Sequence, residues 1–124
     1  MQRPSNKELF NKLKQARENI EAATPENHRL IPVDISVIAQ DAIELGYQIG
    51  NLRRILLQLL GEVGIQHYVG DHPPQKSYKK VSFRLDLFPF VWESTRLGCE
   101  VYLKFCIQAQ IFYLHSLHKN RPQL

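Results

Sequence analysis

The sequence predicts an α+β fold in which three N-terminal helices pack on a twisted antiparallel sheet of about four strands. Its 124 residues suit a single domain with one hydrophobic core. Apolar residues recur at helical spacing in the first half, whereas apolar and polar residues alternate in the second half, as in strands. Short gaps between the predicted strands favour antiparallel pairing. We expect one domain over 1–124, with a helical part at about 5–61, a β-meander at about 66–118 and a tail at 119–124.

The first two helices carry sequence signals for their ends. Ser5 and Glu8 match a capping box, in which a serine hydroxyl and a glutamate cap the first turn of a helix. Asp34 suits the N-cap of a second helix, and Gly46 suits the left-handed residue that follows it. The expected inward face of this second helix is formed by Ile35, Ile38, Ala42 and Leu45. A third helix, from about Gly50 to Leu60, has the widest apolar face, which predicts that it packs on the sheet.

Strands are predicted where apolar and polar residues alternate. They cover residues 80–87, 90–93, 100–107 and 111–118, with a candidate short strand at 66–69. The intervening loop at 70–74 contains two prolines, which cannot join a strand ladder. Ahead of the second helix, residues 31–33 are expected to be extended because Pro32 restricts the residue before it.

The composition narrows the class of protein. A hydrophobic fraction of 44% and a charged fraction of 23% are typical of globular chains rather than disordered ones. No apolar stretch approaches the roughly 20 residues that a membrane span requires, and the N-terminal residues lack the apolar segment of a secretory signal. We therefore expect a cytoplasmic protein with no membrane partner. Cys99 and Cys106 are too few for a disulfide framework or a Cys-rich zinc site.

The sequence contains none of the compact motifs that bind cofactors or mark common catalytic centres. It lacks the phosphate-binding loop, the dinucleotide-binding glycines, the nucleophile elbow and the helical pair of zinc-binding histidines. The five histidines are not at metal-ligand spacing, although a site assembled across elements stays open. We expect no bound metal and no small-molecule cofactor.

Charge is distributed unevenly along the chain. Residues 1–50 hold six lysines and arginines against seven aspartates and glutamates, a net charge of −1, whereas residues 51–124 hold ten against five, a net charge of +5. A basic half suits an anionic partner, either nucleic acid or an acidic protein segment, but a solvated surface without a partner explains it equally well. The candidate RNA-binding residues are Lys76, Lys79, Lys80, Arg84, Arg96 and Lys119.

A polar face of the predicted sheet offers candidate catalytic residues. Tyr102 and Lys104 are two positions apart and therefore lie on one face of a strand. If this strand pairs with the last one across the 108–110 turn, His118 comes within reach of Tyr102. Phosphodiester cleavage needs a base for the 2′-hydroxyl, an acid for the leaving 5′-oxygen and cations for the developing charge. Histidine is the residue type whose pKa lies nearest neutral pH, so His118 suits the acid or the base, and Glu93 is the second candidate base.

Lys104 and Arg96 would supply the cations of such a site. Each candidate also has a plain structural explanation, because Tyr102 is a good strand residue and Lys104 can simply solvate an exposed sheet face. His118 can likewise be an ordinary surface histidine. Periodicity alone does not choose between the catalytic and the structural interpretations.

Several segments resemble a known family. The pattern Gly-x-x-Val-Tyr-Leu-Lys within residues 97–105, followed by Leu-His-Ser-Leu-His at 114–118, is similar to the closing signature of the MqsR-like branch of the RelE toxin superfamily. Upstream similarities are a Leu-Gly helix end, the helix that follows it and an aromatic-Tyr position, at residues 42–46, 56–60 and 67–70. The resemblance extends over residues 36–119.

The resemblance implies a metal-independent mRNA endoribonuclease that a cognate antitoxin protein holds inactive. It also implies a RelE-like fold, with helices packed on a twisted antiparallel sheet. Tyr102 matches the active-site tyrosine of the family, and His118 matches its final basic residue. Glu93 matches a position that is glutamine in the best-known members.

One position departs from the pattern of the family. Val69 stands where the family has a catalytic lysine, directly after the position that Tyr68 matches. Either Lys79 or Lys80 compensates for this lysine, or the activity has been altered or lost. Two functions therefore stay open: an endoribonuclease toxin that uses acid–base catalysis, and a non-catalytic RNA- or protein-binding regulator on the same fold.

Overall fold

The computed structural model describes residues 5–71 and 73–121. Its helices and strands are α1 (Asn6–Glu21), β1 (Leu30–Pro32), α2 (Ile35–Leu45), α3 (Leu52–Leu60), β2 (Phe88–Ser94), β3 (Cys99–Gln108) and β4 (Ile111–Lys119). Short 3-10 turns lie at Ile49–Asn51, Ile65–His67 and Lys80–Ser82. The α+β class predicted from the sequence is confirmed. No helix within the described residues is long and apolar enough to cross a membrane.

Local capping interactions place the ends of the first two helices. Ser5 Oγ accepts a hydrogen bond from the backbone N–H of Glu8 at 3.0 Å, and α1 begins directly after this cap. Asp34 caps α2 in the same way, because its Oδ1 accepts from the N–H of Val37 at 3.3 Å. Gly46 follows α2 with a φ of +84°, the left-handed conformation that glycine adopts without strain.

The inward face of α2 is narrower than its sequence predicts. Its buried residues are Ile38, Ala42 and Leu45. Ile35 lies in the first turn, at the margin of this stripe, and is 54% exposed. The hydrophobic contact of α2 with the sheet therefore begins one turn after the helix does.

The four strands are arranged in the order β1-β4-β3-β2. β2, β3 and β4 form the antiparallel meander that the sequence predicts, but β1 runs parallel to β4. The sheet is therefore mixed, and the prediction of a wholly antiparallel sheet is wrong at this edge. β1 also lies between α1 and α2 in the chain, so the helices do not all precede the strands. An edge position suits Pro32, which has no N–H to donate to a further strand.

Two of the predicted strands do not form. Residues 80–87 begin with a 3-10 turn, and Arg84 has a φ of +68°, a left-handed conformation that an extended strand does not contain. Residues 66–69 overlap another 3-10 turn, and Tyr68 makes an isolated bridge with Phe90 of β2. Both segments therefore connect elements instead of extending the sheet.

Residues 75–87 form a loop, called the 75–87 loop below, that folds over one face of the sheet. Its buried side chains are those of Ser77 and Ser82. Val81 and Phe83, which strand periodicity would bury, are 53% and 56% exposed. Within residues 81–83, therefore, the small polar residue faces inward and the two apolar residues face outward.

The predicted C-terminal tail begins within the sheet. Lys119 is the last residue of β4, and Arg121 makes a salt bridge with Glu44 of α2 at 2.8 Å. The end of the predicted tail, 122–124, and the start of the predicted domain, 1–4, lie outside the described residues.

One hydrophobic cluster joins the three helices to one face of the sheet. The fully buried residues that β3 and β4 contribute to this cluster are Val101, Leu103, Phe105, Phe112, Leu114 and Leu117. Phe105 lies at the centre of the cluster, where its ring stacks on Phe90 and Phe112 with centroid distances of 5.8 and 5.0 Å. Because strand side chains alternate, the opposite face of the sheet carries the polar residues. This opposite face is called the outer face.

Candidate functional site

The outer face of β3 and β4 brings three of the predicted site residues together. Tyr102 is paired with His118, and Lys104 is paired with Ser116, in the antiparallel ladder. Burial of Val101, Leu103 and Phe105 on the helical face directs the alternate residues of β3 outward. A short turn at 109–110 sets this pairing.

Tyr102 and His118 form a stacked pair, as the predicted strand pairing requires. Their ring centroids are 5.1 Å apart and the rings are tilted by 9°. His118 Nδ1 lies 2.8 Å from the carbonyl oxygen of Lys119. A carbonyl only accepts, so Nδ1 carries the hydrogen and Nε2 of the neutral ring keeps its lone pair. His118 therefore has a nitrogen that is able to accept a proton from a ligand.

The environment of Tyr102 keeps its phenol protonated. Burial raises the pKa of Tyr102 above its usual value. At neutral pH the phenol is therefore a hydrogen-bond donor and a possible proton source. Lys104 lies two positions further along the same face of β3 and supplies a positive charge beside it.

A β-bulge in β4 adds a second histidine to the outer face. The pairing of β3 with β4 shifts between Lys104 and Phe105, because Lys104 pairs with Ser116 whereas Phe105 pairs with Leu114. His115, the extra residue, therefore shares the outer face with Ser116. Sequence analysis missed His115 as a site residue. The signal was present, since His115 and Ser116 are two consecutive polar residues between buried leucines.

His115 anchors the 75–87 loop to the sheet. Its Nε2 lies 2.8 Å from Ser82 Oγ, which in turn lies 2.9 Å from Ser77 Oγ. Burial, and then the positive charges of Lys104 and Lys79, lower the pKa of His115 to about 4. The ring is therefore neutral at physiological pH.

Cys106 is an unreactive thiol beside this histidine. Its Sγ lies 3.4 Å from His115 Nε2, and both cysteines of the chain are free. Burial raises the pKa of Cys106 to about 12, so the thiolate needed for nucleophilic attack is not populated at neutral pH. The polar chemistry of this region therefore belongs to the histidines, Tyr102 and Lys104.

The loop and the outer face together enclose an open cleft. Its larger part has a volume of about 710 Å³ and is lined by Tyr78 and Lys79 of the loop and by Lys104 and His115 of the sheet. A smaller recess of about 180 Å³ is lined by Tyr102 and again by Lys104. Lys104 therefore stands between the two spaces, where its charge reaches a ligand in either.

The predicted RNA-binding residues of the loop lie around this cleft. Lys79 lines it directly, and Lys80 and Arg84 are exposed on the same loop. Lys76 also lines the cleft but makes a salt bridge with Asp86, which satisfies part of its charge. Lys76 and Lys79 therefore place positive charge at the cleft, and Lys80 and Arg84 add charge to the exposed surface of the same loop.

Lys119 is the predicted RNA-binding residue nearest to His118. It ends β4 directly after that histidine, and its side chain is exposed. Because Lys119 is paired with Val101 of the helical face, strand alternation directs its side chain away from the outer face that carries Tyr102 and His118.

Two predicted site residues lie apart from the Tyr102–His118 pair. Arg96 is in the β2–β3 turn, where its Nε donates to Gln58 Oε1 of α3 at 2.7 Å. Glu93 is exposed on edge strand β2 and is paired with Glu100. Arg96 thus binds the helical layer, and Glu93 is separated from His118 by the whole of β3.

Glu62 is an organising carboxylate that sequence analysis missed. It accepts hydrogen bonds from Trp92 Nε1 at 3.0 Å, from Ser94 Oγ at 2.7 Å and from the N–H of Arg96 at 2.8 Å. Burial alone would raise the pKa of Glu62, but these hydrogen bonds outweigh it and lower the pKa. Trp92 and Ser94 lie two positions apart on the inward face of β2, so their buried donor groups require an acceptor there.

Val69 lies in the smaller recess, where the family resemblance expects a lysine. It is 52% exposed and shares the recess with Tyr102 and Lys104. Lys104 therefore lines the same recess that the expected lysine would enter. Lys79, the candidate replacement, lines the larger part of the cleft instead.

Among residues 5–71 and 73–121, no three His, Cys, Asp or Glu side chains are grouped so that they could hold a metal ion. The side chains that line the cleft can transfer protons and stabilise negative charge. A scan against protein-family models and searches of curated proteins and of solved structures each returned no match, so the family resemblance stays a prediction.

Proposed function

We propose that this protein is an endoribonuclease that cleaves RNA phosphodiester bonds by metal-independent acid–base catalysis on the outer face of its sheet. One observation carries the proposal, namely that Tyr102 and His118 stack at 5.1 Å on the outer face that also carries Lys104. The three side chains supply a base, an acid and a cation, which are the groups that this reaction needs.

The geometry of each side chain suits one step of cleavage. His118 Nε2 takes the proton of the 2′-hydroxyl, and the 2′-oxygen bonds to phosphorus. Lys104 stabilises the negative charge that develops on the phosphate oxygens. The bond to the 5′-oxygen breaks, and Tyr102 gives its phenolic proton to that oxygen. The products are a 2′,3′-cyclic phosphate and a 5′-hydroxyl, and a water relays the proton from His118 back to Tyr102.

The raised pKa of Tyr102 supports its assignment as the acid. A phenol that holds its proton at neutral pH is available for a leaving alkoxide, which is the stronger base. His118 is half-buried and uses Nδ1 for its hydrogen bond to Lys119, so its Nε2 is better placed as the base than Glu93 on the far side of β3. The second candidate base, Glu93, is therefore not needed for the reaction.

The family resemblance adds a substrate and a partner to this proposal. In that family the substrate is mRNA, and a cognate antitoxin protein holds the enzyme inactive. We accordingly propose that the protein is the toxin of a type II toxin–antitoxin pair. Growth arrest on its expression, relieved by the product of a neighbouring gene, would identify the antitoxin.

A second function is favoured by Val69. A valine at the position of the catalytic lysine leaves the recess with one ammonium group, that of Lys104. The second candidate is therefore a non-catalytic regulator that binds RNA or protein on the same outer face. It predicts binding without cleavage.

Cleavage of a long mRNA in excess EDTA separates the two candidates. We expect the wild-type protein to cleave, and Tyr102→Phe and His118→Ala each to reduce the rate at least tenfold, since each removes a proton-transfer group. Tyr102→Phe keeps the ring that stacks on His118, so it tests the hydroxyl alone. Gel analysis of the products measures the rate.

The matched control is His28→Asn. His28 is exposed on the loop before β1 and has a φ of 55°, which asparagine tolerates well. This variant should cleave at the wild-type rate. RNA that stays intact with the wild-type protein would reject the enzyme and leave the binding function.

A further inference from the structure

The 75–87 loop is held in one conformation by a dense set of hydrogen bonds. The N–H of Arg84 donates to the carbonyl of Ser77, and the N–H of Ser77 donates to the carbonyl of Leu85, both at 2.8 Å. Ser82 adds a side-chain bond to His115 on the sheet at 2.8 Å. The tip of the loop is therefore fixed against the outer face.

This fixed loop presents two aromatic rings to solvent. Tyr78 is 83% exposed and Phe83 is 56% exposed, and their ring centroids are 6.4 Å apart at an angle of 61°. Large exposed aromatic side chains cost free energy in water, and such patches mark binding surfaces. Rings that are already ordered lose little conformational entropy when a ligand stacks on them.

Positive charge surrounds the two rings. Lys79 and Lys80 lie between them in the sequence, and the guanidinium carbon of Arg84 lies 5.5 Å from the centroid of Phe83. No acidic residue lies between Tyr78 and Leu85. Aromatic rings set among cations match the flat bases and the phosphates of single-stranded nucleic acid.

We infer that Tyr78 and Phe83 form a stacking platform that holds unpaired bases of single-stranded RNA beside the cleft. The inference deepens the proposed function, on which its choice of RNA rests. Tyr78 and Lys79 line the same cleft as Lys104, so a strand stacked on the loop passes its phosphates towards that lysine. Bases paired in a duplex are already stacked and do not reach the rings, so the substrate class is single-stranded RNA.

Fluorescence anisotropy with a 2′-O-methyl RNA of about 12 nucleotides tests the platform without cleavage, because the methyl group blocks the nucleophile. Tyr78→Ala and Phe83→Ala should each weaken binding roughly 5- to 100-fold. Tyr78→Phe keeps the ring and should bind within about twofold of wild type. Tyr78→Ala should not change the affinity for an oligonucleotide without bases or for a duplex of the same sequence.

Val81→Ala is the matched control for the loss of an exposed apolar side chain. Val81 is 53% exposed on the same loop and has no ring on which a base can stack. Its truncation should leave RNA affinity unchanged. Unchanged RNA affinity in Tyr78→Ala and Phe83→Ala would overturn the inference, and so would an equal loss of affinity for the abasic oligonucleotide.

The stacking platform and the proposed cleavage can each be rejected without rejecting the other. Loss of binding in Tyr78→Ala without cleavage by the wild-type protein would reject the enzyme and keep the platform. Cleavage by the wild-type protein with full RNA binding by both alanine variants would reject the platform and keep the enzyme.

Discussion

His115 and His118 lie three residues apart on β4, and their surroundings give them different chemistry. His118 makes its hydrogen bond through Nδ1 and stacks on Tyr102, so its Nε2 can exchange a proton with a ligand. His115 lies under the 75–87 loop, where its Nε2 meets Ser82 and its pKa falls to about 4. The first is suited to proton transfer and the second to holding the loop.

The neutral state of His115 predicts a pH-dependent stability. Between about pH 6.5 and 4 the unfolded chain binds a proton at His115 that the folded chain does not bind. The free energy of unfolding should therefore be highest above pH 6.5 and decrease as the pH falls through this window. Urea unfolding at neutral pH and at about pH 5 measures the decrease.

His115→Gln is the control for this pH dependence. Glutamine keeps a neutral polar group towards Ser82 but does not titrate. The variant should lose part of the decrease between the two pH values. A decrease as large as in the wild-type protein would show that other groups cause it.

The β2–β3 turn is built around one carboxylate from the end of α3. Glu62 accepts from both the indole of Trp92 and the hydroxyl of Ser94, and so ties the edge strand to the helical layer. The same carboxylate accepts the N–H of Arg96, which fixes the turn. The position of β2 depends on this network. Since β2 forms one wall of the recess beside Tyr102, the shape of that recess depends on the network as well.

We expect Glu62→Ala to destabilise the fold by roughly 2 kcal/mol, because it leaves the buried donors of Trp92 and Ser94 without their acceptor. The matched control is Glu93→Ala, which removes an exposed carboxylate from the same strand and should change the stability by less than about 0.5 kcal/mol. Urea unfolding of the two variants at neutral pH gives the comparison. Equal losses would show that the network contributes nothing specific.

The elements themselves were only partly predictable. β3 and β4 were identified because each alternates over many residues and a short turn joins them. The 75–87 loop also alternates, but its backbone turns at Lys80–Ser82 and at Arg84. Alternation shows that successive side chains differ in polarity. It does not show whether a neighbouring strand is available for that segment to pair with.

At the scale of the molecule, the excess positive charge of the second half is divided between two tasks. Lys79 and Lys104 line the cleft. Arg53 and Arg96 instead donate to the helical layer, the first to the carbonyls of Ile20 and Glu21 and the second to Gln58. Net charge therefore overestimates the cations that are available to an anionic ligand.

RNA affinity should fall steeply with salt, because cations released from phosphates drive such binding. Lys79→Gln should lower the slope of log affinity against log salt by roughly 0.7. Lys14→Gln, on an exposed position of α1, should leave the slope unchanged. Anisotropy titrations over a range of salt concentrations measure it, and a flat dependence would remove the cleft from RNA binding.

The features that the sequence by itself determined depend on residues that are close together along the chain. The caps at Ser5 and Asp34 act over three residues, and the stacking of Tyr102 on His118 follows from strand alternation across one short turn. Such features need only local contacts, so local patterns encode them. The α+β class follows from the same patterns.

Only the tertiary structure decided how distant segments meet. The parallel pairing of β1 with β4 joins residues about eighty positions apart, and the bulge at His115 brings a second histidine to the outer face. The 75–87 loop, folded over that face, turns it into a cleft with Tyr78 and Lys79 at its wall. These arrangements depend on packing and hydrogen bonds between residues far apart in the chain, which no local period records.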